Sequence, residues 1–377
     1  MRRCVATALA LLLVLLCLGG CTQAEVREGL GNGWKPERTM QLDYATEFSV
    51  DYYGDGYKLI TLGNGSRFLI IPENGALPKG IANDIVPLYQ PVQNIYLAAS
   101  AVMCLFDSLE RLDAIKLSGT PADGWYIENA RQAMESGEIL FAGKYSEPDY
   151  EMILDYHCPL AIESTMIGHA SQVKDKLEEL GIAVLVDLSS NEGHPLGRTE
   201  WIKLYGAILN EEAAAEALFA QQKQYLTGTD MPDTGKTAAF FYISSSGQVV
   251  ARKSDDYVSK MIDLAGGTYV FHELGDPEKA TSTVTIEMEA FFATAKDADY
   301  IIYNSAIGGE IHTIAELVAK NALLAEMKAV QNGNVWCTAQ NMYQETTGLG
   351  QMTQSFHLIF SGEADGLDAV PYLHRLH

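Results

Sequence analysis

Apolar and polar positions follow three different spacings along this chain. Residues 5–18 form one uncharged, largely apolar run, preceded by Arg2 and Arg3 and followed by Gly19, Gly20 and Cys21. The run is shorter than the ~20 residues that span a bilayer, and with its basic flank it predicts a secretory signal rather than a membrane helix. From 48 to 72 ("FSVDYYGDGYKLITLGNGSRFLIIP") short β-rich segments are separated by Gly-Asp-Gly and Gly-Asn-Gly turns, the signature of hairpins. From 92 onward, short apolar runs alternate with helical patterns. Strands are predicted over 92–98, 138–142, 160–163 and 183–188, with helices over 100–112, 128–135, 149–156 and 171–180.

Residues 199–225 then read as helical, and "TGTDMPDTG" breaks the pattern. The alternation resumes with strands over 238–243, 300–303 and 335–338 and helices over 257–265, 286–295, 314–327 and 349–360. The fold class this predicts is α/β: two parallel-sheet α/β lobes joined by a single helical connector, with an N-terminal β-hairpin extension. The expected divisions are a signal over 1–20, a tether over 21–45, a first lobe with the hairpins over 46–195, the connector over 196–232 and a second lobe over 233–377. "PDYEMILDYHCPLAIES" and "TIEMEAFFATAKDADYIIYNS" echo each other, each reading as acid, helix, turn and buried strand.

Composition narrows the function. The chain has 377 residues, 47% hydrophobic and 20% charged, enough for two cores. A net charge of −23 argues against nucleic acid as a partner. Beyond the signal and Cys21, three cysteines remain, Cys104, Cys158 and Cys337. Their apolar surroundings favour buried thiols, while a Cys104–Cys158 disulfide stays open. No nucleophile elbow, zinc helix or Ser-x-x-Lys pair is present, and "GTDMPDTGKT" has neither the spacing nor the position of a phosphate loop. No catalytic residue is therefore assigned, and the chain is not expected to be an enzyme. A surface-anchored hydrolase of glycan or peptide is the alternative, and an adhesive or sensory module using the hairpins is a third.

Leu18-Gly19-Gly20-Cys21 resembles the lipobox of bacterial lipoproteins, which implies cleavage before Cys21 and a lipid on its sulfur. The lipobox, the two lobes and the single connector together resemble the periplasmic-binding-protein group that serves ABC importers of iron–siderophores, haem and cobalamin. "GKYSEPDYEMILDYHCPLAIES" is similar to the first-lobe segment of that group, and "YVSKMIDLAGGTYVF", "EAFFATAKDADYIIYN" and "MKAVQNGNVW" to its second lobe. The resemblance implies a lipid-anchored receptor on the outer face of the cell membrane. It would be a monomer without a cofactor of its own, passing an iron chelate, haem or cobalamin to an ABC permease and its ATPase subunits. It also implies a permease-docking glutamate on each lobe, matched by Glu151 and Glu289. Both stand in first helical turns, where an acid is also favoured by the helix dipole alone, and Glu147 and Glu287 lie near enough to be the matching residues instead.

Ligands of α/β lobes gather beyond the carboxyl ends of parallel strands. The loops so placed are 98–100, 164–169, 189–194, 244–252 and 304–312, with a rim loop at 119–126. They nominate Trp125, Tyr126, Met166, His169, Tyr242, Arg252, Lys253 and Tyr257 as ligand-binding residues. Aromatic faces suit a flat chelate, and the two cations would offset its negative charge. His169, His194 and His312 lie in such loops as well, without a spacing that assigns a metal site.

Overall fold

In the computed structural model, residues 29–276 and 281–377 are described; the apolar run and Cys21 lie outside them. Among the described residues no helix is long and apolar enough to cross a membrane.

The N-terminal segment is a sheet of its own. Strands Arg38–Thr39, Phe48–Tyr52, Lys58–Leu62 and Arg67–Ile71 pair antiparallel, and Ile85–Tyr89 adds a fifth, parallel edge. The hairpins expected at 48–72 are thus the middle of a larger unit. Its edge strand contains Pro87, which sequence pattern penalises and an edge tolerates. Alternation explains the packing. Val50, Ile60 and Ile70 face the core of the first lobe, while Leu59, Leu69 and Ile71 close a smaller cluster with Tyr53 and Tyr57 on the other face. Both faces are covered, which is why 68–71 reads as a continuous apolar run.

Two buried carboxylates fasten this sheet to the first lobe. Glu200 accepts from the backbone N–H groups of Asp43, Tyr44 and Ala45 at 2.8–3.1 Å, and Glu192 from those of Thr46 and Glu47 at 2.9 and 3.0 Å. The segment 38–45, read from sequence as tether, is therefore part of the fold.

The first lobe holds a parallel sheet whose strands are Ala183–Asp187, Leu160–Ser164, Ile95–Leu97, Ile115–Ser118 and Leu140–Phe141, in that spatial order. The second lobe is mixed. Gly267–Tyr269, Lys236–Ile243, Tyr300–Tyr303 and Val335–Thr338 run parallel, while Val249–Arg252, Thr283–Ile286, Leu373–Arg375 and Ala369–Val370 add antiparallel edges. Residues 244–252, read as one post-strand loop, are instead a turn followed by the strand Val249–Arg252, so Arg252 stands on a strand. The pattern of hydrophobics there ("QVVAR") is too short to separate strand from loop.

Helices Pro195–Glu200, Ile202–Leu209 and Glu212–Thr227 link the lobes, and their buried faces, from Leu196 to Phe219, belong to the first core; the second core starts at Ala238. Helix Leu349–Ser361 of the second lobe returns across Glu212–Thr227. Gly350 permits the close approach: a Cβ there would stand 2.3 Å from the Gln222 carbonyl oxygen. Cys104, Cys158 and Cys337 are buried and free.

Candidate ligand-binding cleft

Each lobe turns the carboxyl ends of its parallel strands toward the other. The turns there are fixed by short polar side chains. Ser164 accepts from Met166 N–H at 3.3 Å at the end of Leu160–Ser164, and Asn304 accepts from Ala306 N–H at 3.2 Å after Tyr300–Tyr303. Such Asx and Ser turns end a strand by offering the backbone a competing acceptor.

Residues 339–348, which follow the strand Val335–Thr338, reach across to the first lobe. Gln344 accepts from Tyr126 N–H and donates to the Gly124 carbonyl, both at 2.8 Å. Thr346 donates to the Ala101 carbonyl at 3.1 Å, and its own carbonyl accepts from Thr199 Oγ1 at 2.8 Å.

Beside this bridge lies a cavity of about 300 Å3, lined by Ser190, Glu192 and Arg198 of the first lobe and by Lys253, Asp256 and Tyr257 of the second. Arg198 donates to the Glu192 and Ser190 carbonyls at 3.0 and 2.6 Å, and its guanidinium lies 3.8 Å from the Tyr257 ring centroid. Burial pulls the Arg198 pKa below its ordinary value, partly opposed by Tyr257 and Asp256. Burial likewise raises the Tyr257 phenol. Arg252, buried behind this pair, hydrogen-bonds the Tyr343 hydroxyl and lies 3.5 Å from Asp256. Asn304 donates to the same hydroxyl at 2.7 Å. Asp256 also caps helix Tyr257–Leu264, accepting from Val258 N–H at 3.0 Å. The result is a cluster of charges from both lobes packed against phenols, with Arg198, Arg252 and Lys253 facing Glu192, Asp255 and Asp256, and Lys253 Nζ 3.4 Å from Asp255.

A second cavity of about 630 Å3 opens at the strand ends of the second lobe, lined by Tyr242, Ser244, Ile307, Gly308 and Lys320. Burial raises the Tyr242 phenol as well. Ile307 is 55% exposed, and in the first lobe Tyr126 and Met166 are about half exposed on strand-end loops. Large apolar side chains left in water at the same end of both sheets mark a binding surface better than scattered exposure does. Among the described residues, further cavities lie elsewhere. One is beside Arg38 and Tyr52, and another is at the amino end of Ala183–Asp187, the wrong end of the sheet for a ligand.

The structure sorts the residues nominated from sequence. Lys253 and Tyr257 line the inter-lobe cavity, with Arg252 directly behind it, and Tyr242 lines the second. Tyr126, Met166 and His169 are exposed on the rim of the first lobe. Trp125 is not part of the surface. Its buried indole N–H points at Ser118 Oγ and the Thr120 carbonyl, at 3.3 and 3.2 Å, and supports the rim loop from beneath. The histidines separate. His194 Nδ1 accepts from Leu196 N–H at 3.1 Å and its ring stacks on Tyr44, while burial and nearby Lys260 lower its pKa. His312 lies beside His374, away from both cavities.

Sequence reading missed Arg198, Tyr343, Asn304 and Gln344. Residues 339–348 follow a predicted strand, so the same strand-end rule would have nominated Tyr343 and Gln344. Glu151 and Glu289 are exposed in the first turns of helices Tyr150–Asp155 and Met288–Ala295.

Comparison with known proteins agrees with this architecture. A family model described as "Periplasmic binding protein" matches residues 104–341. Two uncharacterized lipoproteins of Methanocaldococcus jannaschii are similar along nearly the whole chain. One is 23% identical over 380 residues, covering 91% of this chain and 89% of the relative; the other is 22% identical over 352 residues, covering 88% and 86%. Among solved structures, the periplasmic haem-binding protein HutB of Vibrio cholerae superposes with a TM-score of 0.57 at 18% identity, covering 70% of this chain and 97% of HutB. The petrobactin-binding protein YclQ of Bacillus subtilis superposes with a TM-score of 0.58 at 15% identity, covering 81% and 98%.

Proposed function

This chain belongs to the periplasmic binding protein family, and from that premise we propose that it captures an anionic metal chelate between its lobes and delivers it to an ABC permease. A ferric siderophore complex, haem and cobalamin are the ligand classes considered, with anionic iron chelates favoured. The observation that carries this choice is the inter-lobe cavity, where Arg198 from one lobe and Lys253 from the other flank Tyr257, with Arg252 and Tyr343 behind. Arg198 is held by backbone carbonyls and an aromatic face rather than by a carboxylate, so its charge favours an anion beside it, and flat aromatic faces suit a catecholate or macrocycle.

Titration of the purified protein with a ferric catecholate, haem and cyanocobalamin, followed by tryptophan fluorescence and absorbance, tests the reading. The expected result is a Kd of about 1 μM or tighter for one iron chelate, corresponding to about −8.2 kcal/mol. Arg198→Gln should weaken it about tenfold or more. Absence of binding across all three classes would overturn the chelate assignment.

Delivery rests on Glu151 and Glu289, one acid on each lobe of a rigid body, which would set the register on two basic pockets of a permease. Export and anchoring rest on the lipobox at Cys21. Replacement of Cys21 by Ser should move the protein out of the membrane fraction, or leave an uncleaved precursor. Unchanged fractionation and lipid labelling would remove the anchor.

A further inference from the structure

We propose that Glu310, His312 and His374 bind one divalent transition-metal ion of the zinc class on the second lobe, outside the ligand cleft. One donor atom from each residue lies within 4.8 Å of the other two. None of the three lines the inter-lobe cavity or the strand-end cavity, so this site is independent of the chelate reading.

The three ligands come from two distant segments. Glu310 and His312 sit in the loop between helix Ser305–Gly308 and helix Ile314–Lys320. His374 stands on the strand Leu373–Arg375, opposite Cys337 of Val335–Thr338. Backbone bonds hold the two segments together: Ile314 N–H donates to the His377 carbonyl at 2.9 Å, and His377 N–H to the His312 carbonyl at 3.5 Å. The loop is braced from the other side by Glu316, whose Oε2 accepts from His312 N–H and Thr313 N–H at 2.7 and 2.9 Å.

The tautomer of His374 follows from its neighbour. Nε2 lies 2.8 Å from the Ile311 carbonyl, which can only accept. Nε2 therefore carries the proton, and the lone pair is on Nδ1, which lies 3.9 Å from Glu310 Oε1. A backbone carbonyl that accepts from the N–H of the non-ligating nitrogen in this way is the usual support of a ligating histidine. The His312 and His374 rings lie side by side, 5.0 Å between centroids and 28° between planes.

Two imidazoles and one carboxylate select zinc, nickel or copper over calcium and magnesium, which require sets of oxygen ligands. Ligand atoms around tetrahedral zinc stand about 3.3 Å apart, given bonds of ~2.0–2.1 Å. Glu310 and His312 are exposed and free to rotate by the difference, while His374 is fixed. A fourth position remains for water.

Calorimetric titration of the untagged chain with ZnCl2 tests the proposal, using the parent, Glu310→Gln, His312→Ala and the His312→Ala/His374→Ala double variant. The parent should bind one equivalent. Each single variant should bind at least about tenfold more weakly, and the double variant should lose the event. Calcium should give no heat at this site. Glu310→Gln and His312→Ala alter exposed side chains only, and circular dichroism checks that each variant keeps its fold. Parent-like stoichiometry and affinity in both of these variants would overturn the site, as would absence of zinc binding by the parent. Equal affinity for calcium would overturn the metal class.

Discussion

The two lobes repeat one device and complete it differently. In the first, helix Tyr150–Asp155 feeds strand Leu160–Ser164, which ends on the Ser164 turn; in the second, helix Met288–Ala295 feeds Tyr300–Tyr303, which ends on the Asn304 turn. The residue before each turn is a buried polar side chain. Tyr303 places its hydroxyl 3.3 Å from the Gly308 carbonyl and donates to it. Glu163 occupies the matching position with no accessible surface, and neither carboxylate oxygen has a partner. Burial therefore pushes its pKa up to about 8. Identical backbone logic does not guarantee equal satisfaction of the polar group it buries.

The largest break in this symmetry should come from Glu163→Gln. The folded carboxyl titrates near 8 and the unfolded one near its ordinary 4.5, so between these values the folded state holds the extra proton. Stability falls as pH rises through that window, by about 1.36 kcal/mol per unit. Glu163→Gln should stabilise by up to about 3 kcal/mol at pH 7 and by little at pH 4. Urea unfolding at both pH values measures it, and a pH-independent difference would refute the raised pKa of the buried carboxyl.

Next in size is the seam between the lobes. Gly350→Val forces a side chain against the Gln222 backbone carbonyl, which cannot rotate away, and should cost about 1–3 kcal/mol. Gly168→Ala, with nothing within 4 Å of an added Cβ, should cost about 0.5 kcal/mol or less. Equal melting points for the two variants would mean that the seam yields.

The two turns should then differ. Asn304→Ala removes a turn together with one of the two hydrogen bonds to the Tyr343 hydroxyl, costing about 2 kcal/mol, whereas Ser164→Ala removes a turn at the surface and costs about 0.5–1 kcal/mol. Thermal unfolding of both variants gives the order; a reversed order would show that the Asn304–Tyr343 bond contributes nothing.

The smallest stability effect should be that of the Glu151→Ala/Glu289→Ala double variant, within about 0.5 kcal/mol of the parent. Its chelate Kd should stay within about threefold, while uptake in a strain lacking the parent falls steeply. Normal uptake would leave these two acids as helix-dipole partners only.

Local pattern made much of the fold legible. Helix Glu128–Glu135 and strands Tyr300–Tyr303 and Val335–Thr338 stand where periodicity places them, because each buries one face that its own residues define. The strand-end loops were legible for the same reason, and the structure places Tyr126, Met166, Tyr242, Lys253 and Tyr257 in or beside them. Other features needed partners remote in sequence. Arg252 reads as a loop cation, yet pairing of Val249–Arg252 with Lys236–Ile243 and Thr283–Ile286 buries it. Trp125 reads as a rim aromatic, and the Ser118 and Thr120 oxygens turn it inward.

The sequence by itself determined the α/β alternation, the two cores and the end of each sheet where a ligand would sit, since these depend on spacing along the chain and on the hand and direction of parallel connections. Tertiary structure alone decided that Arg198 stacks on Tyr257 across the lobes, that Gln344 bridges to Tyr126, and that His312 meets His374 rather than His169 or His194. These contacts join segments tens to hundreds of residues apart. Periodicity records that a face is buried, and only packing of the folded chain settles what covers it.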